Sequence, residues 1–192
     1  MNMKHKPSLI LISGLPGTGK TTLAKTIAGE FGFPVVSMDM IKEVMWDTMG
    51  HEYDFEFSDK IGRTAFELAF YFVNESLSKG VSLVVEAHFD PERNNERLNA
   101  LKRKYNVNLL QVYCDCEVEA LRKRFENRMK TDSYHKGHKH IIGLYGKERV
   151  LNSLGTKNKR LDIDGVTYDL DTTNFESIDY GKLFKFISEN VK

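Results

Sequence analysis

The segment Gly14-Leu15-Pro16-Gly17-Thr18-Gly19-Lys20-Thr21-Thr22 contains the G-x-x-x-x-G-K-[ST] spacing of a Walker A phosphate loop. Its glycines let the backbone fold into a ring of N–H groups around phosphate oxygens, and a helix that begins near Lys20 directs its positive end toward the same anions. The Lys20 ammonium would bridge the β- and γ-phosphates, and the Thr21 hydroxyl would bind Mg²⁺. The spacing therefore predicts that ATP and Mg²⁺ bind here.

A carboxylate, Asp39, follows the second apolar run of the chain, Pro34 to Met38. Ligands of open α/β sheets bind beyond the carboxyl ends of the strands, so Asp39 is expected to face the γ-phosphate. There it would orient and deprotonate an attacking hydroxyl group, and Lys42, one helical turn further on, is predicted to contact the substrate as well. Asp is also a favoured helix N-cap, and one residue can serve both roles.

A second carboxylate, Glu86, ends the third apolar run, Val81 to Ala87. This is the position of a Walker B carboxylate, which holds Mg²⁺ or one of its waters. Because Asp is the commoner residue in that role, a hydrogen bond from Glu86 to the phosphate acceptor is an equally sensible function, and both stay open. His88, two residues further on, is predicted to bind the acceptor.

The stretch from Ala120 to His140 is basic, with seven Lys or Arg residues against two acidic ones. Arg124 and Arg128 lie four residues apart in a predicted helix, Glu117 to Met129, so both can reach one ligand. Two such guanidinium groups would stabilise the charge of the γ-phosphoryl group from a movable lid. The alternative is a solvated, charged helix face.

Three histidines follow that helix: His135, His138 and His140. Their spacing lacks a fixed acidic or cysteine partner, which disfavours a metal site. We interpret the segment as a flexible, glycine-containing lid loop that brings protonatable groups near the phosphates.

These residues need a scaffold, and the sequence predicts an alternation of strands and helices. The five β-rich runs are Ser8–Ser13, Pro34–Met38, Val81–Ala87, Val107–Tyr113 and Val166–Leu170. The helical patterns cover Thr21–Phe31, a helix that begins at Asp39, Asp59–Lys79, Glu92–Tyr105, Glu117–Met129 and Ile178–Val191. Runs that are apolar nearly throughout fit strands covered on both faces, so we expect βαβ units around a parallel sheet.

Composition sets the limits of the interpretation. The 192 residues fit one domain, residues 1–192, and 41% apolar with 29% charged residues is typical of a globular protein. A net charge of +1 argues against a general nucleic-acid coat or a polybasic membrane surface.

The first apolar run is too short for a membrane span and leads straight into the glycine loop, so a cytoplasmic location is expected. Cys114 and Cys116 are expected to be reduced thiols.

The chain resembles the small P-loop kinases grouped with chloramphenicol phosphotransferase, zeta toxins and the kinase domain of 5′-polynucleotide kinases, chains often labelled AAA family ATPases. The matching segments are Gly14–Thr22, Ser37–Glu43, Glu86, Leu121–Arg128, His135–His138 and Leu170–Thr173. The resemblance implies a three-layer α/β/α sandwich, a five-stranded parallel sheet in the order 2-3-1-4-5 and a helical lid at about residues 117–146. It also implies that Asp39 is the general base, that Arg124 and Arg128 are lid arginines, and that the turn containing Thr172 and Asn174 lies near the adenine.

The sequence favours an ATP-dependent kinase that phosphorylates a hydroxyl group of a small molecule. A 5′-hydroxyl polynucleotide kinase should show a basic, aromatic groove, whereas the aromatic segment Tyr53–Phe57 is acidic. A regulatory ATPase module without a phosphorylated substrate stays open, as does a toxin that is covered by an antitoxin-like partner. Two departures from the family pattern, Lys136 in place of a common Pro and the segment Tyr53–Phe57, leave the acceptor undefined.

Overall fold

The computed structural model of the chain describes residues 6–153 and 159–191, so a few residues of the predicted single domain, 1–192, lie outside it. The strands are β1 (Ser8–Gly14), β2 (Val35–Ser37), β3 (Leu83–Glu86), β4 (Asn108–Asp115) and β5 (Val166–Asp171). The helices are α1 (Lys20–Phe31), α2 (Met38–Met49), α3 (Phe55–Ser78), α4 (Pro91–Tyr105), α5 (Val118–Lys130), α6 (Lys136–Tyr145), α7 (Lys147–Ser153) and α8 (Tyr180–Asn190). A 3₁₀ turn covers Phe175–Ser177.

All five strands are parallel and lie in the order β2-β3-β1-β4-β5, which confirms the order implied by the resemblance. The central strand, β1, is buried throughout, which explains its continuous apolar sequence. In register, Ser37 pairs with Glu86, and Glu86 pairs with Ile12. The carboxyl ends of β2, β3 and β1 therefore lie side by side, directly before the phosphate loop.

Helices cover both faces of the sheet and complete the predicted three-layer sandwich. On one face, α1 and α8 pack against the sheet through the apolar side chains Leu23, Ile27, Leu183 and Ile187. On the other face, α3 and α4 do so through Ala69, Phe70, Val73, Leu98 and Leu101. The sheet is thus the middle layer between two apolar clusters, and it supports the loops at its carboxyl edge.

Helix α3 begins four residues before the predicted start at Asp59. The carboxylate of Asp54 caps it and accepts a hydrogen bond from the backbone N–H of Phe57 at 2.9 Å. The aromatic, acidic segment Tyr53–Phe57 is therefore mainly the first turn of a helix.

The predicted lid, residues 117–146, contains α5 and α6. A third apolar cluster connects these helices and α7 to the phosphate loop through Leu15, Cys116, Leu121, Phe125, Ile142 and Leu151. The interpretation of His135 to His140 as a loop was wrong, since most of it lies in α6. The helix forms because the Nδ1 atom of His135 accepts a hydrogen bond from the backbone N–H of Gly137 at 3.0 Å and so caps it.

Cys114 and Cys116 are both free and buried. Across residues 6–153 and 159–191, no helix is long and apolar enough to cross a membrane. The same residues contain no group of three or more His, Cys, Asp or Glu side chains that could hold a metal ion.

Candidate active site

The phosphate loop takes its shape from three glycines whose backbone angles other residues rarely adopt. The angle φ is +139° at Gly14, +88° at Gly17 and +86° at Gly19. A Cβ atom on Gly14 would also lie closer than 3.0 Å to the backbone of β4. The hydroxyl of Thr18 closes the loop by donating to the carbonyl oxygen of Leu15 at 2.9 Å. The sequence thereby fixes the curved backbone that a phosphate-binding loop requires.

The N-terminus of α1 opens onto this loop. Its N-cap is Gly19, and no side chain accepts a hydrogen bond from its first turn, whereas side chains cap α2, α3, α4 and α8. Free first-turn N–H groups and the positive end of the helix dipole both favour an anion. Pro16 and Thr22 lie exposed beside this opening. The residues present therefore fit the phosphates of a nucleotide.

Lys20 lies buried beneath the loop, where its Nζ atom donates to the carbonyl oxygen of Leu15 at 2.9 Å. Burial lowers the pKa of Lys20, the carboxylates of Glu86 and Asp39 oppose this effect, and the guanidinium of Arg128 adds to it. Three other residues that the sequence predicts for catalysis or metal binding therefore lie close enough to Lys20 to affect its pKa.

Glu86 is only 1% exposed at the end of β3. Its Oε2 atom accepts a hydrogen bond from the hydroxyl of Ser37 at 2.6 Å, and the hydroxyl of Thr21 also donates to the carboxylate. Burial raises the pKa of Glu86, while Lys20 and these two hydrogen bonds oppose the rise. A hydroxyl and a carboxylate are the hard oxygen ligands that Mg²⁺ prefers, so Thr21 and Glu86 fit the ion or one of its waters.

Asp39 lies in the first turn of α2, and its side chain is 49% exposed. Its Oδ1 atom accepts a hydrogen bond from Nζ of Lys42 at 3.0 Å. Burial raises the pKa of Asp39, but the charges of Lys42, His138 and Lys20 outweigh this effect, and the pKa lies below its ordinary value. Asp39 is therefore an ionised carboxylate at neutral pH that a ligand can approach.

His88 reaches the same region from the end of β3. Its Nδ1 atom lies 3.4 Å from the carbonyl oxygen of Gly14. Burial lowers the pKa of His88, and the positive charges of Lys20 and Lys42 add to this effect. The ring is therefore a neutral imidazole at pH 7, able to donate or accept one hydrogen bond at the edge of the loop.

Arg124 connects α5 to the turn that follows β5. Its Nη2 atom donates to the carbonyl oxygens of Thr172 at 2.6 Å and Thr173 at 2.8 Å. Its guanidinium also stacks on Phe175, 3.8 Å from the ring centroid. Phe175 in turn lies against Gly19, where a Cβ atom would come within 2.6 Å of the ring. Arg124 thus holds the turn, which is predicted to lie near the adenine, against the phosphate loop.

The turn after β5 is also held by its own side chains. The hydroxyl and the backbone N–H of Thr172 both donate to the carbonyl oxygen of Asp115 at 2.8 Å. The Oδ1 atom of Asn174 accepts a hydrogen bond from the backbone N–H of Glu176 at 3.1 Å. Thr172 and Asn174 therefore determine the shape of the turn on which Arg124 is anchored.

Arg128 lies one helical turn from Arg124 but has different neighbours. Its guanidinium is 5.1 Å from the ring centroid of Tyr134, and its charge acts on Lys20. The structure thus separates two arginines that the sequence analysis treated alike. Arg128 contacts Tyr134 and influences the pKa of Lys20, whereas Arg124 lies on the turn after β5.

Comparison with known proteins agrees with this geometry. Residues 9–142 match AAA_33, a family described as an AAA domain. The chain belongs to this family. The matched region contains the phosphate loop, Asp39, Glu86, Arg124 and Arg128. It confirms the interpretation of the sequence as a P-loop, nucleotide-binding chain of the small kinase type. No protein of curated function matches the chain.

Solved structures show the same fold as this AAA_33 protein. A "putative kinase" from Chloroflexus aurantiacus j-10-fl is 28% identical, with a TM-score of 0.85, over 97% of this chain and 100% of that one. A sugar kinase from Janibacter sp. HTCC2649 has a TM-score of 0.60 at 15% identity, over 96% and 98%. A gluconokinase from Sinorhizobium meliloti 1021 has a TM-score of 0.58 at 16% identity, over 96% and 95%.

Sequence reasoning missed three residues of the site: Ser37, Tyr134 and Phe175. Ser37 carried a usable signal, since a serine just before the first turn of a helix is a typical N-cap, and this places its hydroxyl near the next strand end. Tyr134 and Phe175 are aromatic residues in polar segments, and only their contacts with Arg128 and Arg124 reveal them.

Proposed function

We propose that this AAA_33 protein is an ATP-dependent phosphotransferase that moves the γ-phosphate of ATP to a hydroxyl group of a small molecule. The observation that supports this most directly is the placement of Asp39. Its ionised carboxylate is half exposed and lies close enough to Lys20 to raise the pKa of the lysine. A base that a ligand can approach, next to the phosphate-binding lysine, is what transfer to a hydroxyl group requires.

In the proposed reaction, the acceptor oxygen attacks the γ-phosphorus of ATP, and the bond from this phosphorus to the bridging oxygen of the β-phosphate breaks. The hydroxyl proton passes to Asp39, and ADP leaves. Lys20 and Arg128 stabilise the negative charge of the phosphoryl group during transfer. Mg²⁺ held through Thr21 and Glu86 would neutralise further charge on the phosphates.

The ionisation of Asp39 limits the proposed reaction only in acid. Because its pKa lies below the ordinary value, the carboxylate can accept a proton throughout the neutral range. A loss of activity between about pH 5 and 7 would therefore come from another group, and Asp39 would limit the rate only in stronger acid.

The acceptor side of the site favours a polar small molecule. Asp39, Lys42 and His88 offer a carboxylate, an ammonium and an imidazole around the loop. A polynucleotide would need a basic groove with exposed aromatic rings, whereas Tyr53–Phe57 carries two carboxylates. Two solved structures with this fold are named a sugar kinase and a gluconokinase, and we propose the same broad acceptor class for this chain.

A transfer screen with γ-labelled ATP tests this proposal. The acceptors would be sugars, sugar acids, nucleosides, amino sugars and 5′-hydroxyl oligonucleotides. With the acceptor found, Asp39→Asn should lower kcat about 10²- to 10⁴-fold and leave the Kd for Mg·ATP within about twofold. Asp59→Asn, which removes an exposed carboxylate paired with Arg63 on α3, is the matched control. Full transfer by Asp39→Asn would refute the base assignment, and steady hydrolysis without transfer would refute the phosphotransferase.

A further inference from the structure

The only tryptophan of the chain joins α2 to the lid helix α6. Trp46 is 3% exposed, and Gly137 lies directly against it, so that a Cβ atom on Gly137 would come closer than 3.0 Å to the indole. His135 stacks on the same side chain with 5.6 Å between ring centroids, and His138 meets it nearly at right angles at 4.8 Å. We call these four residues the clasp: Trp46, His135, Gly137 and His138.

Hydrogen bonds attach both histidines of the clasp to α2. The Nε2 atom of His138 lies 3.0 Å from Oε1 of Glu43, and the Nε2 atom of His135 lies 3.0 Å from Oδ1 of Asp47. Glu43 and Asp47 follow Asp39 by one and two helical turns. The clasp therefore holds the lid to the same helix that carries the proposed base.

The contacts of the clasp extend to an arginine of the neighbouring lid helix, α5. Tyr134 stacks on His138, with 5.3 Å between ring centroids and 7° between ring planes. The guanidinium of Arg128 lies 5.1 Å from the centroid of Tyr134, and its positive charge lowers the pKa of Lys20. One series of side-chain contacts thus connects Trp46 on α2 with Arg128 on α5.

We propose that His138 is a positioning residue that, docked on Trp46 and stacked on Tyr134, sets the guanidinium of Arg128 against the γ-phosphate. The inference rests on the proposed function in one respect, the assignment of Arg128 to the γ-phosphate. A long arginine side chain loses conformational entropy when it binds a ligand, and holding it beforehand reduces this loss. Because the clasp connects α6 to α2, it also sets the distance between Arg128 and Asp39.

Nucleotide binding tests the proposal without knowledge of the acceptor. Calorimetry would compare Mg·ATPγS with Mg·ADP for the wild type, Arg128→Ala, His138→Ala and the double variant. Since only the first nucleotide has a γ-phosphate, Arg128→Ala should weaken Mg·ATPγS about tenfold or more and leave Mg·ADP within about twofold. His138→Ala should show the same selective loss, at about fivefold or more. The double variant should match Arg128→Ala within about twofold. If His138 acts only by positioning Arg128, the two substitutions remove the same contribution to Mg·ATPγS binding.

The matched control is His140→Ala, which removes a histidine of α6 that bonds to the carbonyl oxygen of Tyr53 outside the clasp and should leave both affinities unchanged. A selective loss in Arg128→Ala but not in His138→Ala would overturn the positioning role. So would an equal loss of both nucleotides in His138→Ala, which indicates general disruption. If Arg128→Ala leaves the ratio of the Mg·ATPγS and Mg·ADP affinities unchanged, Arg128 does not contact the γ-phosphate. That result would overturn this part of the proposed function, and the inference with it.

A pair of glycines in α6 gives an independent test. Gly137→Ala should separate α6 from the indole of Trp46, because the added Cβ atom would overlap with it. The Cβ atom added by Gly143→Ala would meet nothing within 4 Å, so this variant is the control. Acrylamide quenching of Trp46 fluorescence should increase severalfold in Gly137→Ala only, together with the selective loss of Mg·ATPγS affinity. Increased quenching with unchanged selectivity would show that docking of α6 does not position Arg128, and unchanged quenching would refute the packing. Either result would overturn the proposal.

Discussion

Replacing Ser37 with alanine should reveal how the fold holds a buried carboxylate beside the phosphate loop. The hydroxyl of Ser37 donates to Glu86 at 2.6 Å and accepts from the backbone N–H of Met40 at 3.4 Å, where it caps α2. Alanine preserves the packing but loses both bonds. Glu86, which is 1% exposed, would keep the hydroxyl of Thr21 as a donor.

The magnitude follows from these two bonds. A hydrogen bond to a buried charge contributes about 1.5–3 kcal/mol. The capping bond is long, so it adds about 0.5 kcal/mol, at the low end for helix caps. Near pH 8, Ser37→Ala should therefore lower the free energy of unfolding by about 2–3.5 kcal/mol.

The loss should also depend on pH. Burial raises the pKa of Glu86, so the folded protein binds this proton more tightly than the unfolded chain does. The contribution of Glu86 to stability is therefore complete below the ordinary pKa of a glutamate and decreases as the pH rises through the folded pKa. Removing a donor that opposes the shift raises the folded pKa further, so the effect of Ser37→Ala grows with pH. Where Glu86 is neutral, only about 1–1.5 kcal/mol should be lost.

Urea unfolding of the wild type and the variant, at intervals from about pH 5 to about pH 8, measures this difference. Asp54→Ala is the control because it removes only an exposed N-cap, the one that begins α3, and should cost about 1 kcal/mol. If Ser37→Ala costs no more than Asp54→Ala, and the cost does not grow with pH, then Ser37 does not stabilise the ionised carboxylate.

Three further predictions concern the nucleotide site. Gly19→Ala should weaken Mg·ADP in calorimetry about tenfold or more, because the Cβ atom meets Phe175 at 2.6 Å and φ is +86°. Adding Phe175→Ala should recover only part of this loss, and full recovery would refute the backbone contribution. Arg124→Ala should weaken the binding of Mg·ADP and of Mg·ATPγS equally, by about tenfold, since the hydrogen bonds of Arg124 support the turn after β5. A loss confined to Mg·ATPγS would instead place Arg124 at the γ-phosphate. Burial raises the pKa of the Cys114 thiol to about 12, so iodoacetamide at about pH 8 should label it only after the protein unfolds. Mass spectrometry measures the labelling, and labelling of the native protein would contradict the burial of Cys114.

Much of the fold could be read from the sequence because its signals are local. The continuous apolar run of β1 and the glycines that follow it predicted a buried strand, a phosphate loop and a helix in the right order. All five strands lie within two residues of their predicted ends. The start of α3 was predicted too late, because the cap at Asp54 precedes the part of the helix with a clear apolar period.

The site was harder to predict because its geometry depends on contacts between distant segments. Arg124 and Arg128 differ by one turn, yet one meets the turn after β5 and the other meets Tyr134. Helix α6 spans only ten residues, and two glycines and two histidines among them make its composition unfavourable for a helix. Its docking on Trp46, 91 residues before Gly137, is visible only in three dimensions.

The central place of β1 in the sheet has a consequence for how the protein is made. Leu9 pairs with Leu83 on one side and with Leu109 on the other, so β1 finds its neighbours only after segments 74 and 100 residues further along the chain have left the ribosome. Contacts between such distant segments form slowly, because a long loop must close before they gain any stability. The phosphate loop is thus synthesised before both of the strands that flank β1. A nucleotide that binds it stabilises finished molecules and gives no help to growing ones.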